Sequence, residues 1–195
     1  MPVTATTELP DEDQPVLGNG VEDEIAVDRE SATTNYGSVR VEYRETSSST
    51  WIDWGVVPFD RLDPIIAGLE DGEEYEVRLR TETEHVIGAW TEPVAITTEF
   101  PGATQLAITS AGQTAVDLEF QDNADNEDGV YLERRELFRD GWGDWQRLKD
   151  LGANSGTGTV TATDATVLPA TTYAYRVIPY TEHSSATSDS VETTT

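Results

Sequence analysis

The 195-residue chain carries 12 basic and 38 acidic side chains, a formal net charge of −26. So few cations among so many anions cannot build a patch that neutralises a run of phosphates, which excludes a nucleic-acid-binding role. No stretch approaches the ~20 apolar residues of a transmembrane helix. The absence of cysteine removes both a disulfide framework and a thiolate metal site. Hydrophobic residues make up 36 %, enough for small cores, and the length allows one large domain or two small ones.

The cations are lopsided, eleven of them Arg and only Lys149 a lysine. Lys and Arg are not equivalent, Lys being the flexible, strongly hydrated one. A chain that nearly abandons Lys while accumulating Asp and Glu resembles proteins of extreme halophiles. At about 0.15 M salt the screening length is ~8 Å and neighbouring carboxylates repel; near 1 M it is ~3 Å and the repulsion fades. An ordinary acidic protein kept soluble by its charge is the other reading. The N-terminal residues 1–13 show neither a basic n-region nor an apolar h-region. With Met1 as the native start, the chain is expected to carry no secretory signal.

In chain order, Gly18-Asn19-Gly20 reads as a turn, Val39–Tyr43 as a strand, Glu70-Asp71-Gly72 as a turn and Tyr75–Leu79 as a strand. Val94–Thr98 and Val116–Phe120 read as strands, Asp140-Gly141 as a turn and Tyr173–Val177 as a strand. Apolar and polar residues alternate through these segments, the period of half-buried strands. Short strands separated by turns, with no sustained helical period, predict an all-β sandwich or small barrel.

The two halves match. Val39-Arg-Val-Glu-Tyr-Arg-Glu45 aligns with Val130-Tyr-Leu-Glu-Arg-Arg-Glu136 at a shift of 91, and Trp51-Ile-Asp-Trp54 meets Trp142-Gly-Asp-Trp145 at the same shift. Beyond them the shift is 98: Tyr75 meets Tyr173, Arg78 meets Arg176, and His85 meets His183. The seven extra residues are expected between Trp145 and Tyr173, near the Gly-rich Gly152–Gly158. A repeat of this length suits an independently folding sandwich rather than a solenoid unit. The expected organisation is an N-terminal arm over residues 1–12, a first domain over 13–100 and a second over 101–195, with the boundary at Phe100-Pro101-Gly102.

Particular residues resemble the fibronectin type III family. Leu69-Glu-Asp-Gly-Glu-Glu-Tyr75, with a Leu six residues before a Tyr, is similar to its E–F corner, and Val167-Leu-Pro-Ala-Thr-Thr-Tyr173 repeats it. Gly88-Ala-Trp90-Thr-Glu-Pro93 leading into Val94–Thr98 is similar to the closing G strand. Asp122-Asn-Ala-Asp-Asn-Glu-Asp-Gly129 resembles the B–C loop of many prokaryotic members. The resemblance implies two tandem immunoglobulin-like (fibronectin type III) β-sandwiches, with each corner tyrosine filling the core edge while its hydroxyl bonds to backbone upstream. The family usually places a Trp at the end of strand B. Phe120 can serve there in the second domain. The first offers only Ile25 and Val27, so its core is expected to borrow Trp51 or Trp54, or to be less stable. Leu69, Tyr75, Trp90, Phe120, Val167 and Tyr173 are thus the expected structural residues.

Chemistry is harder to find. His85 and His183 each follow a Glu at equivalent turns, but a zinc site needs three or four converging ligands, so a solvated turn is the expectation. Within the loop Asp122–Gly129, the carboxylates Asp122, Asp125 and Asp128 are weak candidates for a hard cation. The spacing misses the calcium-loop pattern, because Ala124 sits where an oxygen ligand is needed. Trp51, Trp54, Trp142 and Trp145 are candidate interface residues. In strand alternation, i, i+3 spacing puts the members of each pair on opposite faces, one in the core and one exposed. No nucleophile motif or phosphate loop occurs. No catalytic residue, no cofactor and no enzymatic activity are expected.

The fold does not choose a function. The resemblance implies a non-catalytic structural or interaction protein. Modules of this family are common on tails, baseplates and head surfaces of tailed viruses. With the acidic composition, this points to a virion component of a halophilic archaeal virus acting as a two-module spacer or adhesion element. A virion protein assembles inside the cell and needs no secretory signal. The expected partners are other structural proteins of the same assembly, copies of itself around a symmetry axis, and a host receptor or glycan, with no nucleic acid and no membrane insertion. The N-terminal arm is expected to be held by a neighbouring subunit. A cell-surface or secreted binding module, or a non-catalytic module of a polysaccharide-degrading enzyme, are the alternatives.

Overall fold

The computed structural model describes residues 15–19, 23–28, 37–58, 64–154 and 156–195. The expected arm, Gly20 and the first residues of the first domain lie outside them. The chain divides between Thr98 and Glu99 into two compact units, Met1–Thr98 and Glu99–Thr195. Among the described residues the regular elements are all strands, and no helix is long and apolar enough to cross a membrane.

In the first unit β1 (Val16–Asn19), β2 (Glu24–Asp28) and β5 (Ile65–Ala67) form one sheet in the order β1-β2-β5. A second sheet has the order β4-β3-β6-β7, built from β3 (Ser38–Glu45), β4 (Ile52–Pro58), β6 (Glu74–Glu82) and β7 (Val94–Thr97). Burial along β6 alternates strictly, with Tyr75, Val77, Leu79 and Thr81 inside, because successive side chains point to opposite faces of a pleated strand. The inward residues of both sheets meet in one core: Ile25, Val27 and Ile66 against Val39, Val41, Val57, Tyr75, Val77 and Leu79. The chain at Gly18 and Asn19 continues β1, pairing with Ala26 and Ile25, where a turn was expected. The turn at Glu70-Asp71-Gly72 does form, with Gly72 at φ 65°, which favours a residue without Cβ.

The second unit repeats the plan. Strands β8 (Thr104–Ala111), β9 (Val116–Asp122) and β13 (Gly158–Asp164) make one sheet in the order β13-β9-β8. The other is centred on β10 (Gly129–Phe138) and β14 (Thr172–Tyr180), with β15 (Val191–Thr194) outside β14. Two short strands, β11 (Gly141–Trp142) and β12 (Gln146–Asp150), share the remaining edge of β10. Gly141 therefore opens β11, and the turn is Arg139-Asp140. The core sets Val116, Leu118, Phe120 and Ala162 against Val130, Leu132, Tyr173, Tyr175 and Val177. Both units are thus β-sandwiches, the architecture expected from the strand pattern.

Register shows how closely the two copies agree. A β-bulge falls between Val41 and Glu42 in one and between Leu132 and Glu133 in the other, 91 residues apart. The corner tyrosines are also equivalent. Tyr75 Oη accepts the Glu70 N–H at 3.0 Å and Tyr173 Oη accepts the Leu168 N–H at 3.1 Å, five residues upstream in both cases. Burial pushes the Tyr75 hydroxyl up to about 12, while the Glu70 N–H opposes it. Leu69 and Val167 are buried beside them.

One correction concerns the cores. Neither contains a tryptophan. Phe120 fills the second core, while the first closes on Ile25 and Val27 without borrowing Trp51 or Trp54. Instead the second unit buries a polar group. Asp164, 4 % exposed, accepts hydrogen bonds from the Thr166 N–H and hydroxyl, Tyr175 Oη at 2.9 Å and Arg134 Nη1 at 2.6 Å. Burial alone would push this carboxyl up; the four donors together hold it below its ordinary range.

Asp164→Asn leaves the half-buried Arg134 without its counter-charge, and the expected loss is about 3 kcal/mol in urea unfolding at neutral pH. Because the folded carboxyl titrates below the unfolded one, its stabilisation is present at neutral pH and disappears as pH falls through the folded value. The wild type should therefore lose this increment as pH falls below the ordinary carboxylate range, and Asp164→Asn should not.

Candidate functional site

Strand alternation that places apolar residues inside places charge outside. On the outer face of the first unit's four-stranded sheet, β3 presents Arg40, Glu42 and Arg44, and the facing strand β6 presents Glu76, Arg78 and Arg80. Directly opposed in register, Glu42 and Arg78 pair at 2.6 Å, and Arg44 reaches Glu76 at 2.6 Å. Glu82 is shared by Arg40 at 2.8 Å and Arg80 at 2.7 Å. Arg40 above all holds its carboxyl below the usual range, against burial and with help from Arg80.

Tryptophans slot between these cations. The Trp51 ring lies between Arg44 and Arg78, whose guanidinium carbons stand 4.5 and 4.0 Å from its centroid. Trp90 lies between Arg78 and Arg80 at 4.4 and 4.3 Å. The order Arg44, Trp51, Arg78, Trp90, Arg80 is a ladder of alternating guanidinium and indole. Each cation–π contact is worth ~0.5–1 kcal/mol where solvent reaches it.

The second unit rebuilds the ladder with a different tryptophan. Glu133 and Arg176, opposed in register, pair at 2.7 Å. Arg135 and Arg176 are the repeat equivalents of Arg44 and Arg78, and the indole between them is Trp145, at 4.5 and 4.4 Å. By alignment Trp145 matches Trp54, whereas Trp142, the match of Trp51, packs on Arg135 at 4.7 Å. The slot between the two guanidiniums is thus filled by the first tryptophan of the Trp-x-x-Trp pair in one unit and by the second in the other. The cause is local: β4 runs unbroken after Trp51, while Gly143 to Trp145 interrupt the edge between β11 and β12. Trp142 and Trp145 therefore reach one guanidinium, and the expected split into one core and one exposed ring fails in both units. Trp51, Trp90, Trp142 and Trp145 are half-buried on the outer faces, and Trp54 is 38 % exposed.

Farther along the same outer face, Tyr131 and Tyr180 stack at 4.0 Å between centroids, with the Arg147 guanidinium over Tyr131. Gly129 makes room for them; a Cβ there would lie 2.8 Å from Tyr180 Oη and 2.8 Å from Asp150 Oδ1. The Tyr180 hydroxyl donates to Asp150 Oδ2 at 2.8 Å. The Gly152 N–H and this hydroxyl hold the Asp150 carboxyl below its usual range.

The other candidates separate. His85 and His183 sit exposed at equivalent turns, their N–H groups donating to the hydroxyls of Thr83 and Thr181 at 3.3 and 3.2 Å. Asp122, Asp125 and Asp128 do not converge: Asp122 is buried, while Asp125 and Asp128 face solvent. Among the described residues no three His, Cys, Asp or Glu side chains gather as a metal-binding group. The residue that accompanies Asp122 inward is Glu127, 4 % exposed, which spacing alone did not single out. The ladder cations were also missed, although Arg-x-Glu-x-Arg at 40–44 facing Glu-x-Arg-x-Arg at 76–80 is a readable outward alternation.

A two-domain fibronectin type III segment of chicken tenascin superposes on the chain with a TM-score of 0.68, at 13 % identity, covering 94 % of this chain and 98 % of that one. The fold is that of tandem fibronectin type III domains. The FN1–FN3 domains of chicken CNTN1 align over 94 % of this chain and 65 % of theirs, at 15 % identity and a TM-score of 0.44. No family model and no curated protein matches the sequence. In fibronectin type III terms the ladders occupy the outer face of the C′-C-F-G sheet in both domains.

Trp145→Ala removes the indole between Arg135 and Arg176 and should lower the stability of the second domain by about 1–2 kcal/mol, from two cation–π contacts and lost packing. Trp54→Ala, an indole with no guanidinium stacked on it among the described residues, should stay within about 0.5 kcal/mol of wild type in the same urea titration.

Proposed function

We propose that the chain is a non-catalytic, two-module binding or spacer protein that works in concentrated salt. The observation that carries this reading is the ladder: the broad outer face of each module is a rigid plane of interlocked indoles, guanidiniums and carboxylates. A locked plane is suited to holding shape and meeting another surface, and locking it removes ordering cost at the moment of contact. The likeness to a tandem fibronectin type III segment of tenascin supports the two-module layout of this reading, while the fold by itself chooses no function.

In its fullest form, the reading makes the chain a structural component of a virion (tail, baseplate or capsid surface) from a salt-loving host. A composition of 38 acids with a single lysine supports the brine environment. The contacts would use strand edges, loop tips and residues 1–12, with copies of the chain and other structural proteins of the assembly as partners and a host receptor or glycan at its outer end. Mass spectrometry of purified particles and of the cell-envelope fraction from the same culture tests this. A fixed stoichiometry with the major capsid protein is the expected result; recovery in the envelope fraction alone would move the protein to the cell surface.

The environment has its own test. Transfer from about 2 M to about 50 mM NaCl lengthens the screening length from a few ångström to more than 10 Å and unmasks carboxylate repulsion. The Tm should fall by about 5 °C or more, the shift that ~1 kcal/mol produces in a domain of this size. A Tm indifferent to salt removes the brine adaptation.

A further inference from the structure

Among the described residues the second domain holds three buried carboxylates, and they are treated unequally. Asp164 has a guanidinium, a phenol and a threonine around it. Asp122 is 0 % exposed and Glu127 4 %, yet among the described residues neither takes part in an ion pair. Both turn to one neutral residue, Asn154. Its backbone N–H donates to Glu127 Oε1 at 2.6 Å, and its Nδ2 reaches Asp122 Oδ2 only at 3.4 Å. Asp122 Oδ1 accepts the Ala124 N–H at 3.3 Å, another long contact. The remaining oxygen, Glu127 Oε2, is sealed from solvent and has no hydrogen-bond partner.

Two carboxylates held out of water on the one residue Asn154, with only neutral donors around them, are unstable as bare anions. Buried charge persists when it is paired or coordinates a metal. We propose that Asp122 and Glu127 hold one hard cation between the Asp122–Gly129 loop and the loop that carries Asn154. Hard cations prefer carboxylate oxygens completed by carbonyl oxygens and water, which a loop-to-loop site supplies. A Ca²⁺ ion would neutralise both charges; Na⁺ or K⁺ in brine would neutralise one. Bound there, the ion clips together two loops at one end of the second sandwich. The first domain has no counterpart, because Ile25 to Val27 and the chain after them lack the Asp-Asn-Ala-Asp-Asn-Glu-Asp-Gly sequence.

The test uses the full chain, stripped of divalent ions and kept at one ionic strength. Calcium chloride is titrated calorimetrically with tetramethylammonium chloride as supporting salt, a cation too large and too weakly coordinating to fill the site. One saturable Ca²⁺ per chain is expected, weakened about tenfold or more in Asp122→Asn and Glu127→Gln. Asp125→Asn, which alters an exposed carboxylate of the same loop, should bind as the wild type does. A second arm replaces tetramethylammonium with NaCl or KCl at equal ionic strength. A rise in Tm that Glu127→Gln lacks identifies a monovalent occupant instead. The proposal is overturned if Ca²⁺ shows no saturable site and Tm ignores the cation, or if Glu127→Gln responds as the wild type does. Should Glu127→Gln fail to fold, the wild-type stoichiometry decides: a single site supports the proposal, and none or many weak ones overturn it.

Discussion

The cross-strand pairing of β3 with β6 and of β10 with β14 is the constraint on which the rest of each module depends. It opposes Glu42 to Arg78 and Glu133 to Arg176 on the outer face while opposing apolar residues inside. In a chain with three acids for every cation, an arginine placed between carboxylates and indoles is held on several sides at once. Exposed ion pairs taken singly contribute ~0–1 kcal/mol. Here the partners are half-buried beneath tryptophan rings, and each central guanidinium serves both a carboxylate and an indole, so the contacts support one another. A one-residue slip of either pairing would send these charges into the core and the valines into water. The ladder and the core therefore specify the same register.

The duplication shows how freely the two faces can change. At three aligned positions the second domain has Arg134, Asp164 and Tyr175 where the first has Tyr43, Ile66 and Val77. These three are joined in one hydrogen-bonded group, centred on the buried Asp164, in the second domain. In the first, Ile66 and Val77 belong to the apolar core and Tyr43 packs against it. A buried ionic group and a hydrophobic one of similar bulk are exchangeable when all members change together, while losing one member strands a charge. Between the two copies all three differ together, which is what that energetics requires. The ladder changed by a different route: Trp145 took the slot that Trp51 fills in the first domain, because the chain path at the sheet edge moved.

The all-β architecture and the duplication were legible because they rest on short-range signals. Alternation of apolar residues names β3, β6, β9 and β14, and the resemblance to the fibronectin type III E–F corner names Tyr75 and Tyr173. The resemblance to the family's strand B placed Phe120 in the core, where it lies. Tryptophan placement was not legible, because alternation holds only within an unbroken strand. Trp51 precedes β4, and Trp145 lies in the gap between β11 and β12. Gly18-Asn19 failed as a turn for a related reason: β2 supplies a partner whose ladder hydrogen bonds outweigh the local preference of that dipeptide. The acidic loop offered Asp122, Asp125 and Asp128 as weak cation candidates, yet burial selects Asp122 and Glu127. Which carboxylate turns inward is set by the loop's docking on Asn154, about thirty residues away in sequence.

Charge also governs the sheet edges, where unpaired backbone groups invite another strand. In the second domain the exposed edge β12 reads Gln-Arg-Leu-Lys-Asp and carries Lys149, the chain's single lysine. Lysine is the residue most effective at blunting an edge, since pairing with another chain would strip its strongly hydrated ammonium. In the first domain β4 presents Ile52, Trp54 and Val56 with 49, 38 and 42 % exposure. Its protection is geometric, a bulge opposite Val41/Glu42 and Pro58 at its end. Geometry of this kind does not weaken with salt, whereas repulsion between copies of a −26 chain does. The apolar edge β4 is thus guarded by a device that still works in brine, while the charged edge β12 relies on lysine hydration, which does not depend on long-range repulsion.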